Sequence, residues 1–150
     1  MQLNLTTDYA IRIVLYLAMC GTSATSKELS QGLGIPSGYV LKITGRLAEA
    51  GLVSASPGVY GGIALGREAG TISLLDIIQV MENTIKVNRC LEADHDCSRH
   101  ATEECPVRKV YLTIQEQMER TLSSITIRSL MEGELSAGGT ETDKVTGERM

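Results

Sequence analysis

Between Thr25 and Val53 the chain reads TSKELSQGLGIPSGYVLKITGRLAEAGLV, and the break inside this stretch restricts the fold more than any other feature. Thr25 and Glu28 form a T-x-x-E capping box, in which hydroxyl and carboxylate each satisfy a backbone N–H orphaned at a helix start; a short helix through KELSQGL follows. Gly34 and Pro36 stop it, because proline disfavours helical geometry in the residue before it. Ser37 is placed to cap another helix, GYVLKITGRLAEA, which Gly51 ends. Ahead of both, LTTDYAIRIVLYLAMCG carries Ile11, Val14, Leu15 and Ala18 at helical spacing, with Thr6 or Thr7 as cap and Gly21 as stop. Two short helices joined by a tight glycine-containing turn, leading into an extended segment at Leu52 and Val53, make the helix-turn-helix pattern.

The next segment, VSASPGVYGGIAL, has strand-like ends around Pro-Gly and Gly-Gly and predicts a β-hairpin wing. TISLLDIIQVMEN predicts a further helix starting at Thr71 or Ser73, with Leu74, Leu75, Ile77, Ile78 and Met81 on a broad apolar face. Pro106 suits the first position of a last, long helix. Along it Val107, Val110, Tyr111, Ile114, Met118, Leu122 and Ile125 recur at spacings of three and four, and little chain remains to cover that stripe, so a second subunit is expected to. From Gly133 on, the composition predicts a disordered tail. The expected fold is thus mainly α. A winged helix-turn-helix spans 1–70, a linker helix and cysteine loop 71–105, a dimerisation helix 106–132 and the tail 133–150.

The longest apolar run, AIRIVLYLAMC, is too short to span a membrane and contains Arg12, and no signal-peptide pattern opens the chain, so the expected location is the cytoplasm. Four cysteines in a reducing compartment favour metal binding or thiol chemistry over disulfides. The net charge of −4 argues against nucleic acid taken alone, but residues 1–70 are near neutral and much of the acid lies in the cysteine loop and tail.

A helix-turn-helix reads DNA with the first residues of its second helix, here Ser37, Gly38, Tyr39 and Lys42, with Arg46 one turn on from Lys42. Lysine and arginine at i and i+4 suit phosphates or guanine edges; solvated surface charge is the plainer reading of the same pair. Thr25 and Ser26 at the start of the preceding helix and Tyr60 on the hairpin complete the candidate contacts. No Gly-rich phosphate loop, Ser-His-Asp order or H-E-x-x-H pattern indicates an enzyme.

CLEADHDCSRHATEEC, from Cys90 to Cys105, separates three cysteines by six and seven residues, unlike zinc knuckles or ferredoxin spacings. A loop of this length needs something to hold it, and thiolates on iron would do so. Glu92, Asp94, Asp96, Glu103 and Glu104 oppose thiolate formation, so without metal the loop is expected to be unreactive and unsettled. Cys20 reads as a small, partly buried hydrophobe. Zinc, or a thiol–disulfide switch, is the alternative use of the trio.

In its order of parts (LTTDYAIRIVLYLA, then TSKELSQGLGIPSGYVLKITGRLAEAGLVSASPGVYGGIAL, a linker helix, clustered cysteines and a long final helix) the chain resembles the Rrf-two (Rrf2) family of bacterial winged-helix regulators over about residues 1–130. The resemblance implies a homodimer on palindromic promoter DNA, read as a repressor, with an iron–sulfur cluster controlling operator affinity; the nitric-oxide-sensing, iron-responsive and cluster-assembly branches are the most similar. It implies 4Fe-4S, with 2Fe-2S as the alternative. The chain departs from the family in having Pro57 where wings often carry a basic residue, Ile63 where an aromatic often follows Gly-Gly, and Arg108 where the cluster-assembly branch has histidine. Similarity to the nitric-oxide-sensing branch implies that Cys90, Cys97 and Cys105 are completed by Asp8 of the second subunit. An aspartate there also suits the helix dipole and can pair with Arg12, and His95 and His100 are the imidazole alternatives. A cluster-free regulator responding to thiol state or a protein partner, and a small iron–sulfur electron-transfer protein, are the rival functions.

Overall fold

The computed structural model describes residues 2–100 and 103–134. Six α-helices and one two-stranded sheet follow in the order α1 (Leu5–Cys20), α2 (Ser26–Leu33), α3 (Ser37–Glu49), β1 (Val53–Ser56), β2 (Gly62–Leu65), α4 (Leu74–Met81), α5 (Pro106–Ser124) and α6 (Ile127–Glu132). Single 3-10 turns lie at Ala69–Thr71 and Arg89–Leu91. The architecture is the expected mainly helical winged fold. Among the described residues, no helix is long and apolar enough to cross a membrane.

Local signals set the ends of α2 and α4. Thr25 and Glu28 close the capping box in both directions, at 3.1 and 2.7 Å, and these hydrogen bonds hold the Glu28 carboxyl below its ordinary range. Gly34 stops α2 in the left-handed region at φ 64°. Of the two candidate starts for α4, Ser73 is the cap, paired reciprocally with Asp76.

Two expected caps are corrected. Helix α1 starts at Leu5 with Asn4 as its N-cap, not Thr6 or Thr7. The reason is tertiary: the Glu82 carboxylate takes the Asn4 backbone N–H at 2.8 Å, while Thr7 lies fully buried inside the first turn and donates its hydroxyl to the same carboxylate at 2.5 Å. Ser37 is the first residue of α3, and Pro36 holds the cap position, its carbonyl accepting the Tyr39 and Val40 amides at 2.9 and 3.2 Å.

The core gathers Ile13, Leu17, Leu29, Ile43 and Leu47 from the first three helices, Ile35 and Leu52 from the turns after α2 and α3, and Ile63 of the wing. Ile72, Ile77, Met81 and Ile127 belong to the same cluster, so α4 and α6 pack on the helix-turn-helix itself. In α1 the fully buried stripe is Ala10, Ile13, Val14 and Leu17, whereas Ile11, Leu15 and Ala18 flank it half-buried. Each fully buried Leu or Ile contributes about 1.5–3 kcal/mol of transfer free energy. Cys20, expected partly buried, is exposed at the end of α1. Its thiol is hydrogen-bonded to Tyr16, which pushes the phenol above its ordinary range.

The final helix is shorter than expected. It ends at Ser124, and Ile125 and Thr126 are extended: Leu74 donates to the Ile125 carbonyl at 2.9 Å, and Ile127 to that of Ile72 at 2.9 Å. Thr126 and Ser129 then form their own capping box and start α6, whose Ile127 is fully buried. Gly133 ends α6 at φ 69°, and most of the expected tail, residues 135–150, lies outside the described residues.

Candidate functional site: a nucleic-acid face and a cysteine loop

One face is built by the starts of α2 and α3 and by the wing. Backbone hydrogen bonds between Ala24 and Ile63, at 2.9 and 2.8 Å, tie the hairpin to the residue just before the α2 cap. Together these elements surround a hollow of about 410 Å³ lined by Thr25, Ser26, Leu41, Gly45, Ala48, Ser56 and Gly61, among others. Along α3, Ser37, Gly38, Tyr39, Leu41 and Lys42 point outward, opposite Val40, Ile43, Thr44 and Leu47, which are buried. The Tyr39 ring packs edge-on against Tyr9 of α1, with centroids 6.0 Å apart. Lys42 is exposed and, among the described residues, makes no ion pair. Tyr60 stands at the wing tip, fully exposed.

Lys42 and Arg46, one turn apart, have different surroundings. Arg46 is half-buried and donates to the Val80 carbonyl at 2.6 Å, one of the four carbonyls that the end of α4 leaves without a helical partner. Its charge also helps hold the nearby Glu82 carboxyl below its ordinary range: burial pushes that group up, and the hydrogen bonds from Thr7 and Asn4 together with Arg46 outweigh it.

The cysteine loop lies at the other end of a strap that begins at Glu82. Along the strap, Thr84 donates to Glu92, and the Val87 amide to Gln115 Oε1 at 2.8 Å. Gln115 Nε2 donates to the Ile85 carbonyl at 3.2 Å and to Glu119 at 2.7 Å, and Lys86 pairs with Glu119 at 3.2 Å. The Gln115 bond is the largest cause of a lowered Glu119 pKa; burial opposes it, and Lys86 adds to it. Cys90 sits in the Arg89–Leu91 turn, and Cys105 is the N-cap residue of α5. All three loop cysteines are half-buried, and none of the chain's four is in a disulfide. Cys97 and Cys105 share a hollow of about 220 Å³ with Arg99, Glu104 and Pro106. Among the described residues, no three Cys, His, Asp or Glu side chains stand close enough together to hold a metal ion.

Arg108 fastens the loop to α5. Its Nε donates to the Cys90 carbonyl at 3.2 Å, and Nη2 lies 3.4 Å from His95 Nδ1. Reading this position only as a missing histidine overlooked it. The acids differ from expectation as well: Asp94 and Asp96 both pair with Arg89, so two of the charges expected to oppose thiolate are offset locally. His95 and His100 sit in the left-handed region at φ 50° and 52°, conformations that cost about 1–3 kcal/mol each for a residue other than glycine. Asp8 pairs with Arg12 at 2.7 Å, half-exposed, and within one chain nothing brings it to the cysteines. Glu82, Arg108 and Gln115 are the functional-site residues that sequence reasoning missed. Gln115 alone left a signal there, a polar residue at a core-facing position of the apolar α5 stripe.

A similar fold is found in solved structures. The structure of CymR (YrzC), the global cysteine regulator of B. subtilis, superposes with a TM-score of 0.73 at 26% identity, over 89% of this chain and 98% of that one. IscR of T. potens does so with a TM-score of 0.68 at 23% identity, over 95% and 94%. The oxidised form of S. aureus CymR follows with a TM-score of 0.67 at 22% identity, over 88% and 97%. Residues 3–133 match the Rrf2 family, described as iron-dependent transcriptional regulators, and therefore the chain belongs to the Rrf2 family of DNA-binding transcription regulators rather than to any class of enzyme.

Proposed function

We propose that this chain is a cytoplasmic, homodimeric transcription repressor that binds palindromic promoter DNA, with operator affinity set by an iron–sulfur cluster. The single observation carrying the reading is the trio Cys90, Cys97 and Cys105, all half-buried on a loop that runs from a strap hydrogen-bonded to the DNA-reading domain to the N-cap of α5. The donor set fits a cluster in kind. Cys105 stands at the N-cap of α5, and Cys97 shares a hollow with it, so two of the three thiols already border one space. The trio supplies three ligands, and Asp8 of the second subunit supplies the fourth, with His95 or His100 as substitutes. When bound, a 4Fe-4S cluster would supply iron that nitric oxide or oxygen can attack, and iron shortage would leave it unassembled. The chain's own residues transmit the consequence: Arg108 and Gln115 hold the loop and strap to α5, while Glu82 and Arg46 tie the strap's start to α1 and α3. Thr25, Ser26, Ser37, Tyr39, Lys42 and Tyr60 form the DNA contact set, and Arg46 supports it from behind.

Protein purified without oxygen is expected to carry about four iron and four acid-labile sulfide per chain, and about two of each would assign 2Fe-2S instead. Removing the cluster should change operator affinity about 5- to 150-fold, the range of ordinary allosteric coupling. Protein without iron or sulfide, whose DNA binding nevertheless responds to oxidants, would establish the second reading, a cluster-free thiol-responsive regulator. That reading draws support from the hollow that Cys97 and Cys105 share.

A further inference from the structure

From Ala50 to Gly66 the chain carries no charged residue, so the wing has neither a cation to draw it to phosphates nor an acid to repel it. Yet its tip holds two large apolar side chains wholly in solvent: Val59 is 95% exposed and Tyr60 101%. The backbone that presents them tolerates little change. Gly58 sits at φ +99°, and a Cβ on Gly61 would stand 2.0 Å from the Ser56 carbonyl oxygen. The Gly61 amide closes the tip by donating to the Gly58 carbonyl at 3.0 Å. Below it, β1 and β2 pair from Ser56 opposite Gly62 to Val53 opposite Leu65, and Ile63 is hydrogen-bonded to Ala24. The tip is therefore continuous with the face that carries Thr25 and Ser26.

Single exposed apolar residues are ordinary on protein surfaces. Two adjacent ones on a glycine-shaped tip at the edge of a DNA-reading face have a specific chemical match. Apolar side chains that enter the minor groove wedge against base steps and partly unstack them, and they need no charge to do so. We propose that Tyr60, flanked by Val59, is an uncharged wedge that enters the minor groove beside the half-site read by α3. It discriminates by the deformability of the base step it meets. Flexible pyrimidine–purine steps unstack at the lowest cost and are the steps it selects. The proposal rests on the DNA-contact reading of this face, and it gives the wing a role despite the missing basic residue at Pro57.

The test uses the full chain. Wild-type protein enriches duplexes from a random pool, and binding of wild type, Tyr60→Ala and Tyr60→Phe to an enriched duplex is followed by fluorescence anisotropy over a salt series. 2-Aminopurine placed at the flanking step reports unstacking. The expected result is a pyrimidine–purine step beside the half-site and a loss of about 5- to 30-fold in Tyr60→Ala, within the range of one lost base–aromatic stack. The slope of log K against log salt stays unchanged, because no phosphate contact is lost. Tyr60→Phe stays within about twofold of wild type, and 2-aminopurine emission rises with wild type and Phe but not with Ala. Tyr60→Ala binding like wild type, a salt slope reduced by about one, or a Phe variant as weak as Ala would each overturn the wedge. An unchanged melting curve for each variant confirms that the fold is intact. A wild type that enriches no duplex removes the DNA reading and the wedge together; an enriched duplex that Tyr60→Ala binds equally well removes the wedge alone.

Discussion

Glu82 has both carboxylate oxygens occupied: Oε1 accepts the Asn4 amide and the Thr7 hydroxyl, and Oε2 accepts Asn4 Nδ2 at 2.6 Å. These donors lie at the N-cap and in the first turn of α1, more than seventy residues away in sequence. Removing the charge by Glu82→Gln is expected to cost about 1–3 kcal/mol at neutral pH, since it weakens charge-assisted hydrogen bonds to the fully buried Thr7. The pH dependence follows from the direction of the shift. The folded carboxyl titrates below the ordinary glutamate value of 4.5, so its stabilisation is fully present above that value and is lost as pH falls through the lower, folded pKa. Chemical denaturation at a series of pH values should show a constant gap between variant and wild type above about pH 5.5, narrowing below 4.5. A gap independent of pH would separate Glu82's packing from its charge. No local pattern marked this residue. A glutamate closing an apolar helix looks like solvated surface, and its partners are set by how α1 docks. Arg108 stands out in the sequence only by not being a histidine, and its hold on the Cys90 carbonyl is likewise set by tertiary packing.

At the scale of elements, the parts legible in the sequence are those with local causes. The Thr25–Glu28 and Ser73–Asp76 boxes, the Gly34 stop and the Gly-rich hairpin each complete their hydrogen bonds within a few residues, so their types and spacing sufficed. The last helix failed as one unit because its apolar period continues through Leu122 and Ile125 while its backbone does not. Ile125, Thr126 and Ile127 pair with Leu74, Ser73 and Ile72 instead, a tertiary choice that the period cannot reveal. What remains of the stripe is largely exposed. Only Gln115 of α5 is buried, whereas Val107, Val110 and Ile114 are 52%, 57% and 44% exposed. In the proposed homodimer this stripe is the surface that a second copy covers. Val110→Glu and Ile114→Glu should therefore each convert the dimer to a monomer in sedimentation velocity at micromolar protein, with helical circular dichroism unchanged. A variant that stays dimeric would place the interface elsewhere.

For the whole molecule, the acidic net charge and the DNA-binding role coexist because the charges are segregated, and what matters is which cations the fold leaves free. Lys42 is free; Arg46 is spent on the Val80 carbonyl, where α3 meets the end of α4 and the strap to the cysteine loop begins. The two residues, equivalent in sequence, should separate in a salt titration of operator binding. Each phosphate contact contributes about 0.9 to the slope of log K against log salt. Lys42→Ala should lower that slope by about one and weaken binding at every sequence. Arg46→Met keeps the side-chain stem and loses the hydrogen bond. It should leave the slope as in wild type and shrink the difference in affinity between the cluster-loaded and cluster-free forms, because the recognition helix is no longer fastened to the strap. If Arg46→Met instead lowered the slope as Lys42→Ala does, Arg46 would leave Val80 on binding and contact phosphate. The loop's signal would then have to reach α3 by way of α1, through Glu82 and its hydrogen bonds to Asn4 and Thr7.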